Sequence, residues 1–338
     1  MNGRVENDIN IFSKIEEELV HYPEYVVSWY YYLKANEQEA TTCRDYIRKI
    51  THYLKFINED ILKVKPTDLN ENNIINYFLK IKYREDGSET SLSYKQSIWS
   101  CLNNFYMFMY KREYISTDYF NKAGVVRPKN KKNDLDKINK KRELLTQEDF
   151  KRILNAIDTG VGSKKAKTYQ KTYHNRDKAI MLIFMTTGMR KTALSEINVE
   201  DIDFDKHELT IIDKGNKLHT YYLSDYVINV INDWMIDRYF LLGGRKATPL
   251  FISRDSNRMS GTSIVKLVDK YAYEALGYHI SPHKLRSGLA SILYEESKDI
   301  EYVRRVIGHS NATTTQRYII TDNKEREKAA SFVCGLLE

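Results

Sequence analysis

The sequence predicts a mostly α-helical protein with a small β-sheet, organised as two domains joined by a basic linker. Apolar residues recur at helical spacing along most of the 338 residues, a length that suits about two domains of ~150 residues. One pair of β-rich segments flanks a turn that contains Gly and Asn, which predicts a hairpin. Residues 127–142 hold eight basic and two acidic side chains and almost no apolar ones, so they cannot contribute to a core.

The composition excludes several classes of protein. Hydrophobic residues make up 42% of the chain, with 26 Tyr and 12 Phe, which is enough to build cores and excludes global disorder. Apolar runs are far shorter than the ~20 residues of a membrane-spanning helix, and the start of the chain does not resemble a secretory signal. Cys43, Cys101 and Cys334 lie far apart, which favours a reducing compartment. Nucleotide-binding glycine motifs are missing. We expect a cytoplasmic protein without a membrane partner, and the abundance of Lys, Asn, Ile and Tyr suggests an AT-rich bacterial or phage genome.

Residues 1–22 are predicted to form an N-terminal helix or extension, and residues 23–126 a small helical bundle. Thr67 is expected to cap the fourth helix of this region. The aromatic stripes favour a core over a base-stacking surface. Arg44, Arg48 and Lys95 are candidates for contacts with a phosphate backbone, although solvated helix faces look the same. The apolar stripes consist of Phe12, Ile15, Leu19 and Val20; Val26, Val27, Tyr30, Tyr31 and Leu33; Tyr46, Ile47, Ile50, Tyr53, Leu54 and Ile57; Leu69, Ile74, Ile75, Phe78 and Leu79; and Ile98, Leu102, Phe105 and Met109.

The linker, residues 127–142, carries a net charge of +6, against +7 for the whole chain. Its like charges repel, which predicts an extended segment. It is either a solvated hinge or a strap that lies against a polyanion. In the second case the candidate phosphate contacts are Lys129, Lys131, Lys132, Lys140 and Lys141.

Residues 143–322 are predicted to form a second domain of mixed α and β structure. Thr146 begins a helix with a capping pattern, and a second helix, Arg176–Thr187, ends at Gly188. The residues between these helices, Gly160–Asn175, are expected to form a loop whose Lys164 and Lys165 are further candidates for DNA contact. The remaining predicted elements are the strands His207–Asp213, Leu218–Leu223 and Pro249–Ser253, the helices Asp225–Tyr239, Gly261–Leu276, Pro282–Glu296, Ile300–Ile307 and Thr313–Ile320, and a C-terminal helix within residues 323–338.

Four short segments of this domain hold residue types suited to phosphodiester chemistry. They are Thr187–Arg190, the turn lysine Lys214, His283–Arg286, and Gly308 with His309 followed nine residues later by Tyr318. Two arginines can bind a phosphate through planar bidentate contacts without a metal. Histidines exchange protons near neutral pH, and a tyrosine hydroxyl becomes a nucleophile when cations and a base stabilise its phenolate. His279 and His283 are four residues apart, but Pro282 between them argues against a zinc site.

The order and spacing of these segments resemble the tyrosine recombinase family, which includes phage integrases and Xer-like proteins and is related in mechanism to type IB topoisomerases. The resemblance covers about residues 145–326, and the bundle in front resembles the family's core-binding domain. It therefore implies a helical core-binding domain followed by a mixed α/β tyrosine-recombinase catalytic domain. The family motif T-G-x-R matches Thr187–Arg190, the G-K-G hairpin lysine matches Lys214, H-x-L-R matches His283–Arg286, L-G-H matches Ile307–His309, and T-T-x-x-Y matches Thr314–Tyr318.

The resemblance also implies roles for individual residues. Tyr318 would be the nucleophile that forms a 3′-phosphotyrosyl link, and Lys214 would protonate the leaving 5′-oxygen, with Lys217 as the alternative lysine in the same turn. His283 would assist as a base or phosphate donor. The remaining phosphate ligands would be Arg190, Arg286 and His309. Neither ATP, nor a metal, nor another cofactor is implied.

The family's partners are double-stranded DNA and, on DNA, three further copies of the chain. Applied to this sequence, this implies a monomer in solution, a clamp of two domains around DNA, a homotetramer on DNA and a possible role for accessory DNA-bending proteins. The C-terminal helix, with Ala329, Phe332, Val333 and Leu336 in one stripe, would pack either within its own protomer or in a neighbouring one.

The sequence departs from the family pattern at one position. Ala193 stands where the family usually has an acidic residue, three residues after the first arginine, that helps to orient the basic groups. The leading interpretation is a recombinase that integrates or excises a mobile element. The alternatives are a Xer-like resolvase of chromosome or plasmid dimers, a topoisomerase-like enzyme, and a non-catalytic DNA-binding regulator with the same fold.

Overall fold

The computed structural model describes residues 3–129, 144–213 and 217–308. The chain divides into two compact units, one from Val5 to Lys140 and one formed by Lys141–Glu338 together with Met1–Arg4. Most of the described residues are helical, with one small sheet, as the sequence predicts. The domain limits expected from the sequence stay predictions.

The first unit is a helical bundle around an aromatic core. Trp29 is fully buried, stacks on Tyr46 with ring centroids 5.9 Å apart, and meets the edge of Phe105 at 5.0 Å. Edge-to-face and offset pairs of this kind add to the stability that burial provides. The aromatic stripes therefore build the core, as predicted. Its described helices are α1 (Gly3–Glu18), α2 (Glu24–Ala35), α3 (Ala40–Ile57), α4 (Glu71–Lys80), α5 (Leu92–Lys111) and α6 (Tyr119–Lys122).

Several details of this unit differ from the prediction. Thr67 does not cap α4, because it lies in a short 3₁₀ turn, Pro66–Asp68. The cap is Asn70, whose side-chain oxygen accepts a hydrogen bond from the backbone N–H of Asn73 at 3.1 Å. Val20 and Leu79, which the sequence analysis placed in apolar stripes, are largely exposed. Each predicted stripe contains residues beyond the helix face that the bundle covers.

The second unit is built around one helix that is buried on nearly all sides. This helix, α9, contains the most apolar run of the chain, Ala179–Met185, and every residue of that run is buried. A helix that is apolar all round belongs inside a domain, where other helices cover it. The helices of this unit are α7 (Gln147–Thr159), α8 (Lys164–Thr172), α9 (His174–Thr187), α10 (Lys191–Glu196), α11 (Asp225–Leu242), α12 (Gly261–Leu276), α13 (Pro282–Ser297) and α14 (Ile300–Ile307).

A three-stranded antiparallel sheet lies in the same unit, in the order β1 (Ile202–Asp203), β2 (Glu208–Asp213) and β3 (Lys217–Tyr222). The β2–β3 hairpin is the predicted one, with Ile211 paired with His219. The short strand β1 was not expected. The strand expected at Pro249–Ser253 is wrong, because this segment forms only isolated bridges, which join Pro249 to Asn198 and Ile252 to Arg258.

The prediction of a loop at Gly160–Asn175 is also wrong, since the centre of this segment forms helix α8. The Ser163 hydroxyl caps this helix by accepting from the N–H of Ala166. Gln170 ties the helix to the residues that precede it. Its side-chain amide accepts from the N–H of Val161 at 3.0 Å and donates to the Val161 carbonyl at 2.7 Å. The helix contains only two apolar residues, Ala166 and Tyr169, so the sequence pattern did not reveal it.

Some predictions fall on residues outside the described ranges. These are most of the linker, the hairpin turn, the helix Thr313–Ile320 and the C-terminal helix. Within the described ranges, every helix is too short or too polar to cross a bilayer.

Candidate functional site

The turn that carries Arg190 is set by the end of the buried helix α9. Gly188 adopts the left-handed conformation (φ 62°), and its N–H donates to the carbonyl of Phe184. The hydroxyl of Thr187 donates to the carbonyl of Ile183 at 2.6 Å and accepts from the N–H of Met189 at 3.2 Å. Both groups fix the path of the chain, so half-buried Arg190 leaves the core at a defined point, at the start of α10.

The second arginine lies against this turn. Arg286 is on α13, whose first residue is Pro282, and it is only 2% exposed. Its Nη1 donates to the carbonyl of Gly188. A buried guanidinium is stable only where its donors find acceptors. The structure therefore brings the Thr187–Arg190 segment and the His283–Arg286 segment into direct contact.

Gly188 leaves no room for a side chain at this contact. A Cβ atom built on it would lie 3.1 Å from Leu289 Cδ2, 3.5 Å from Arg286 Cγ and 3.6 Å from Ile307 Cγ2. The turn thus packs on α13 and on the end of α14 at the same time. Three of the four segments singled out in the sequence consequently approach one another at this glycine.

His283 lies on the first turn of α13 and is exposed, one helical turn from Arg286. Its carbonyl accepts a hydrogen bond from the Ser287 hydroxyl at 2.9 Å. The His279 ring lies 2.9 Å from the carboxylate of Asp269. Within the described ranges, His, Cys, Asp and Glu side chains form no group of three or more that could hold a metal ion.

The fourth segment begins at the end of α14. Gly308 is left-handed (φ 74°), and its N–H donates to the carbonyls of Arg304 and Arg305. The ring of His219, on β3, lies against Gly308 and was not singled out in the sequence. Lys214, His309 and Tyr318 lie outside the described residues. The structure thus describes Arg190, His283 and Arg286 of the six predicted site residues.

The candidate DNA contacts differ in how accessible they are. Arg44 is half-buried and Arg48 exposed, and they share one face of α3. Lys95 forms an ion pair with Glu89 at 2.8 Å, and its side chain is only 18% exposed, which makes it the weakest of the candidates. The remaining described candidates, Lys129, Lys164 and Lys165, are exposed, whereas Lys131, Lys132, Lys140 and Lys141 lie outside the described ranges.

A buried ionic cluster at the start of α9 was missed by the sequence analysis. Asp177 is 2% exposed and accepts hydrogen bonds from Arg176 Nε at 3.0 Å and Nη2 at 2.8 Å, and from the Tyr271 hydroxyl at 2.7 Å. Lys270 Nζ lies 3.7 Å from the same carboxylate. Burial lowers the pKa of Lys270, although the charge of Asp177 opposes this shift, and burial together with that charge raises the pKa of Tyr271. The cluster fixes the start of α9 to α12, whereas Arg190 lies just beyond the other end of α9.

Comparison with protein families identifies the second unit. The phage integrase family matches residues 143–325. The tyrosine recombinase XerC of Caldanaerobacter subterraneus subsp. tengcongensis is 33% identical over 236 residues, which are 68% of this chain and 60% of that protein. XerC of Histophilus somni is 36% identical over 148 residues, 44% of this chain and 50% of that protein. The chain thus spans only about half to three fifths of the length of these relatives.

Solved structures show the same fold at low sequence identity. The XerH site-specific recombinase bound to difH substrate, in a pre-cleavage complex, matches with a TM-score of 0.63 at 19% identity, over 88% of this chain and 81% of that chain. A lambda integrase dimer bound to a COC′ core site matches with a TM-score of 0.57 at 16% identity, over 88% of this chain and 95% of that chain. These similarities confirm the predicted fold class.

Proposed function

The chain belongs to the phage integrase family of tyrosine recombinases, and from this premise we propose that it is a site-specific DNA recombinase. It cleaves and rejoins DNA strands through a 3′-phosphotyrosyl intermediate. The observation that carries the proposal is the contact of Arg286 Nη1 with the Gly188 carbonyl, which brings together two segments that are 98 residues apart in the sequence. This contact is explained if Arg190 and Arg286 bind the same phosphate.

The two arginines stabilise the transition state. Negative charge on the non-bridging oxygens grows as the phosphorus becomes pentavalent, and Arg190 and Arg286 neutralise it with planar donors. His309 adds a hydrogen bond to the same phosphate, and His283 acts as a base or a further donor. The burial of Arg286 supports this role, because a fixed donor needs no reorganisation during the reaction.

The reaction conserves the energy of the phosphodiester bond. Tyr318 gives its phenolic proton to a base, for which His283 is the candidate, and its oxygen attacks the phosphorus; the new bond forms as the bond from phosphorus to the 5′-oxygen breaks. Lys214 donates a proton to the leaving oxygen, so the products are a 3′-phosphotyrosyl link and a 5′-hydroxyl. A 5′-hydroxyl from another strand reverses these steps and completes the exchange without ATP.

The partner is double-stranded DNA, which four protomers bind together, while the free protein is a monomer. DNA-bending proteins assist where the ends must be brought together. The exposed Lys164 and Lys165 on α8 and the arginines Arg44 and Arg48 on α3 contact phosphates, which position the protein without reading the sequence. The predicted linker lysines have the same role.

The biological process is the integration or excision of a mobile element. Ala193 supports this, because it departs from the pattern expected for the family. The resolution of chromosome or plasmid dimers is the second candidate, favoured by the names of the XerC relatives. Recombination between the ends that flank the gene separates these functions from each other, and recombination of a two-site substrate separates both from simple relaxation of supercoils.

The decisive variant is Tyr318→Phe. We expect it to abolish the covalent protein–DNA complex on a nicked suicide substrate, because the nucleophilic oxygen is lost, while duplex binding stays within about twofold. Tyr239→Phe removes a hydroxyl from a 71% exposed tyrosine on α11 and serves as the matched control. A covalent complex that persists in Tyr318→Phe would refute the assignment, and a wild-type protein that binds DNA without ever forming the complex would favour the non-catalytic regulator.

A further inference from the structure

A cavity of about 480 Å³ separates strand β3 from helix α14. The end of α9 contributes Thr187 to its wall, β3 contributes His219 and Tyr222, and α14 contributes Tyr302 and Arg305. Because of this cavity, much of the face that β3 turns towards α14 lacks close packing. The side chains that cross this gap therefore add to the strand pairing and the core contacts that position the β2–β3 hairpin.

His219 crosses the gap. On one side its ring meets the Tyr221 ring edge to face, with centroids 4.3 Å apart, and Tyr221 is 5% exposed within the core. On the other side the ring lies against Gly308, where a Cβ atom would stand 3.1 Å from His219 Cε1. The imidazole is thus held between the core and the backbone that ends α14. Gly308 allows this approach both through its missing side chain and through its left-handed backbone.

This contact lies close to the hairpin turn. His219 follows Lys217 by two residues, a distance of about 7 Å along a strand. Gly308 is the residue directly before His309 in the sequence. The contact of His219 with Gly308 therefore ties the hairpin to the end of α14. The next residue in the chain, His309, is a proposed phosphate ligand.

We propose that His219 is a positioning residue for strand cleavage, which holds the β2–β3 hairpin against Gly308 so that the lysine of the turn reaches the leaving oxygen. The inference rests on the proposed function. His219 acts through its ring volume and contact, and it takes no part in proton transfer. A displacement of about 1 Å at such a group reduces a reaction rate by about a hundredfold.

The first test compares variants at two adjacent positions of β3. In His219→Ala, we expect the single-turnover cleavage rate at saturating DNA to fall at least tenfold, with the Kd for duplex DNA within twofold. His219→Phe keeps a flat ring and should restore most of the rate. Leu218→Ala is the matched control, because Leu218 neighbours His219 and is 73% exposed. Cleavage by His219→Ala at the wild-type rate, or equal losses in the Leu218 control, would overturn the proposal.

The second test identifies the step that His219 serves. When sulfur replaces the 5′-bridging oxygen of the substrate, the leaving group is a thiolate. The pKa of its thiol is about 8.5, so it needs no general acid. On this substrate the defect of His219→Ala should shrink to less than twofold. A defect of equal size on both substrates would show that His219 does not act through the hairpin lysine. If wild-type protein cleaves neither substrate, the proposed function fails as well, so the two failures are distinguishable.

Discussion

Replacing Gly188 with alanine tests whether the turn before Arg190, which also contacts Arg286, sets the geometry of the site. Gly188 has a φ of 62°, and its Cβ would lie 3.1 Å from Leu289 Cδ2 and 3.5 Å from Arg286 Cγ. The substitution therefore strains the backbone and also pushes on the side chain of Arg286. It removes none of the proposed catalytic groups.

The two costs can be estimated separately. A left-handed conformation costs a residue with a side chain roughly 1–2 kcal/mol. Overpacking a tight site costs a further ~1–3 kcal/mol, so the free energy of unfolding should fall by about 2–5 kcal/mol. Gly277 provides the control: its φ is 80°, and a Cβ there would meet nothing within 4 Å. Gly277→Ala should therefore lose only about 1–2 kcal/mol.

The assay pairs denaturant unfolding with single-turnover cleavage of a suicide substrate at saturating DNA. Gly188→Ala should cleave about a hundredfold more slowly, because its added methyl group displaces Arg286 from the phosphate. Gly277→Ala should cleave at the wild-type rate. The reasoning would be refuted if folded Gly188→Ala cleaved at the wild-type rate. It would also be refuted if both variants lost the same fraction of the cleavage rate.

Two further variants test the ionic cluster and the basic helix. Asp177→Asn leaves the buried Arg176 without its carboxylate and should lower the free energy of unfolding by roughly 3–5 kcal/mol; an unchanged denaturation midpoint would contradict this. Lys164→Gln with Lys165→Gln should weaken duplex binding and reduce the slope of log K against log salt by about 0.9 for each lost phosphate contact. Lys122→Gln, at a lysine paired with Glu71 at 2.7 Å, is the control, and an identical slope in the double variant would exclude α8 from the interface.

The sequence predicted the helices with strong local signals better than the rest. The capping box of Thr146 with Asp149 and the glycine end of α9 appear as expected, because both depend on a few adjacent residues. Helix α8 was missed because its residues face solvent and leave no apolar pattern. The expected strand at Pro249 was wrong because sheet formation depends on partners elsewhere in the chain, and a local pattern does not contain them.

The site shows the same limit. Motif spacing predicted Arg190, His283 and Arg286 as site residues, and the family that this spacing resembles matches residues 143–325. It could not show that Arg286 would be buried on the Gly188 carbonyl, since that contact joins two helices of the fold. Nor could it find His219, an unremarkable histidine in a strand until the structure places Gly308 against its ring.

Ala193, which stands where the family usually has an acidic residue, has apolar surroundings in this structure. It is 4% exposed and lies in the apolar core of the second unit, among residues such as Leu194 and Ile197. An ionised carboxylate there would lose its hydration, at a cost that only a paired cation could offset. The Gly188 carbonyl already accepts from Arg286, and the turn that presents it is fixed by Thr187. The Gly188 carbonyl therefore helps to orient Arg286, the residue that the proposed function places on the phosphate.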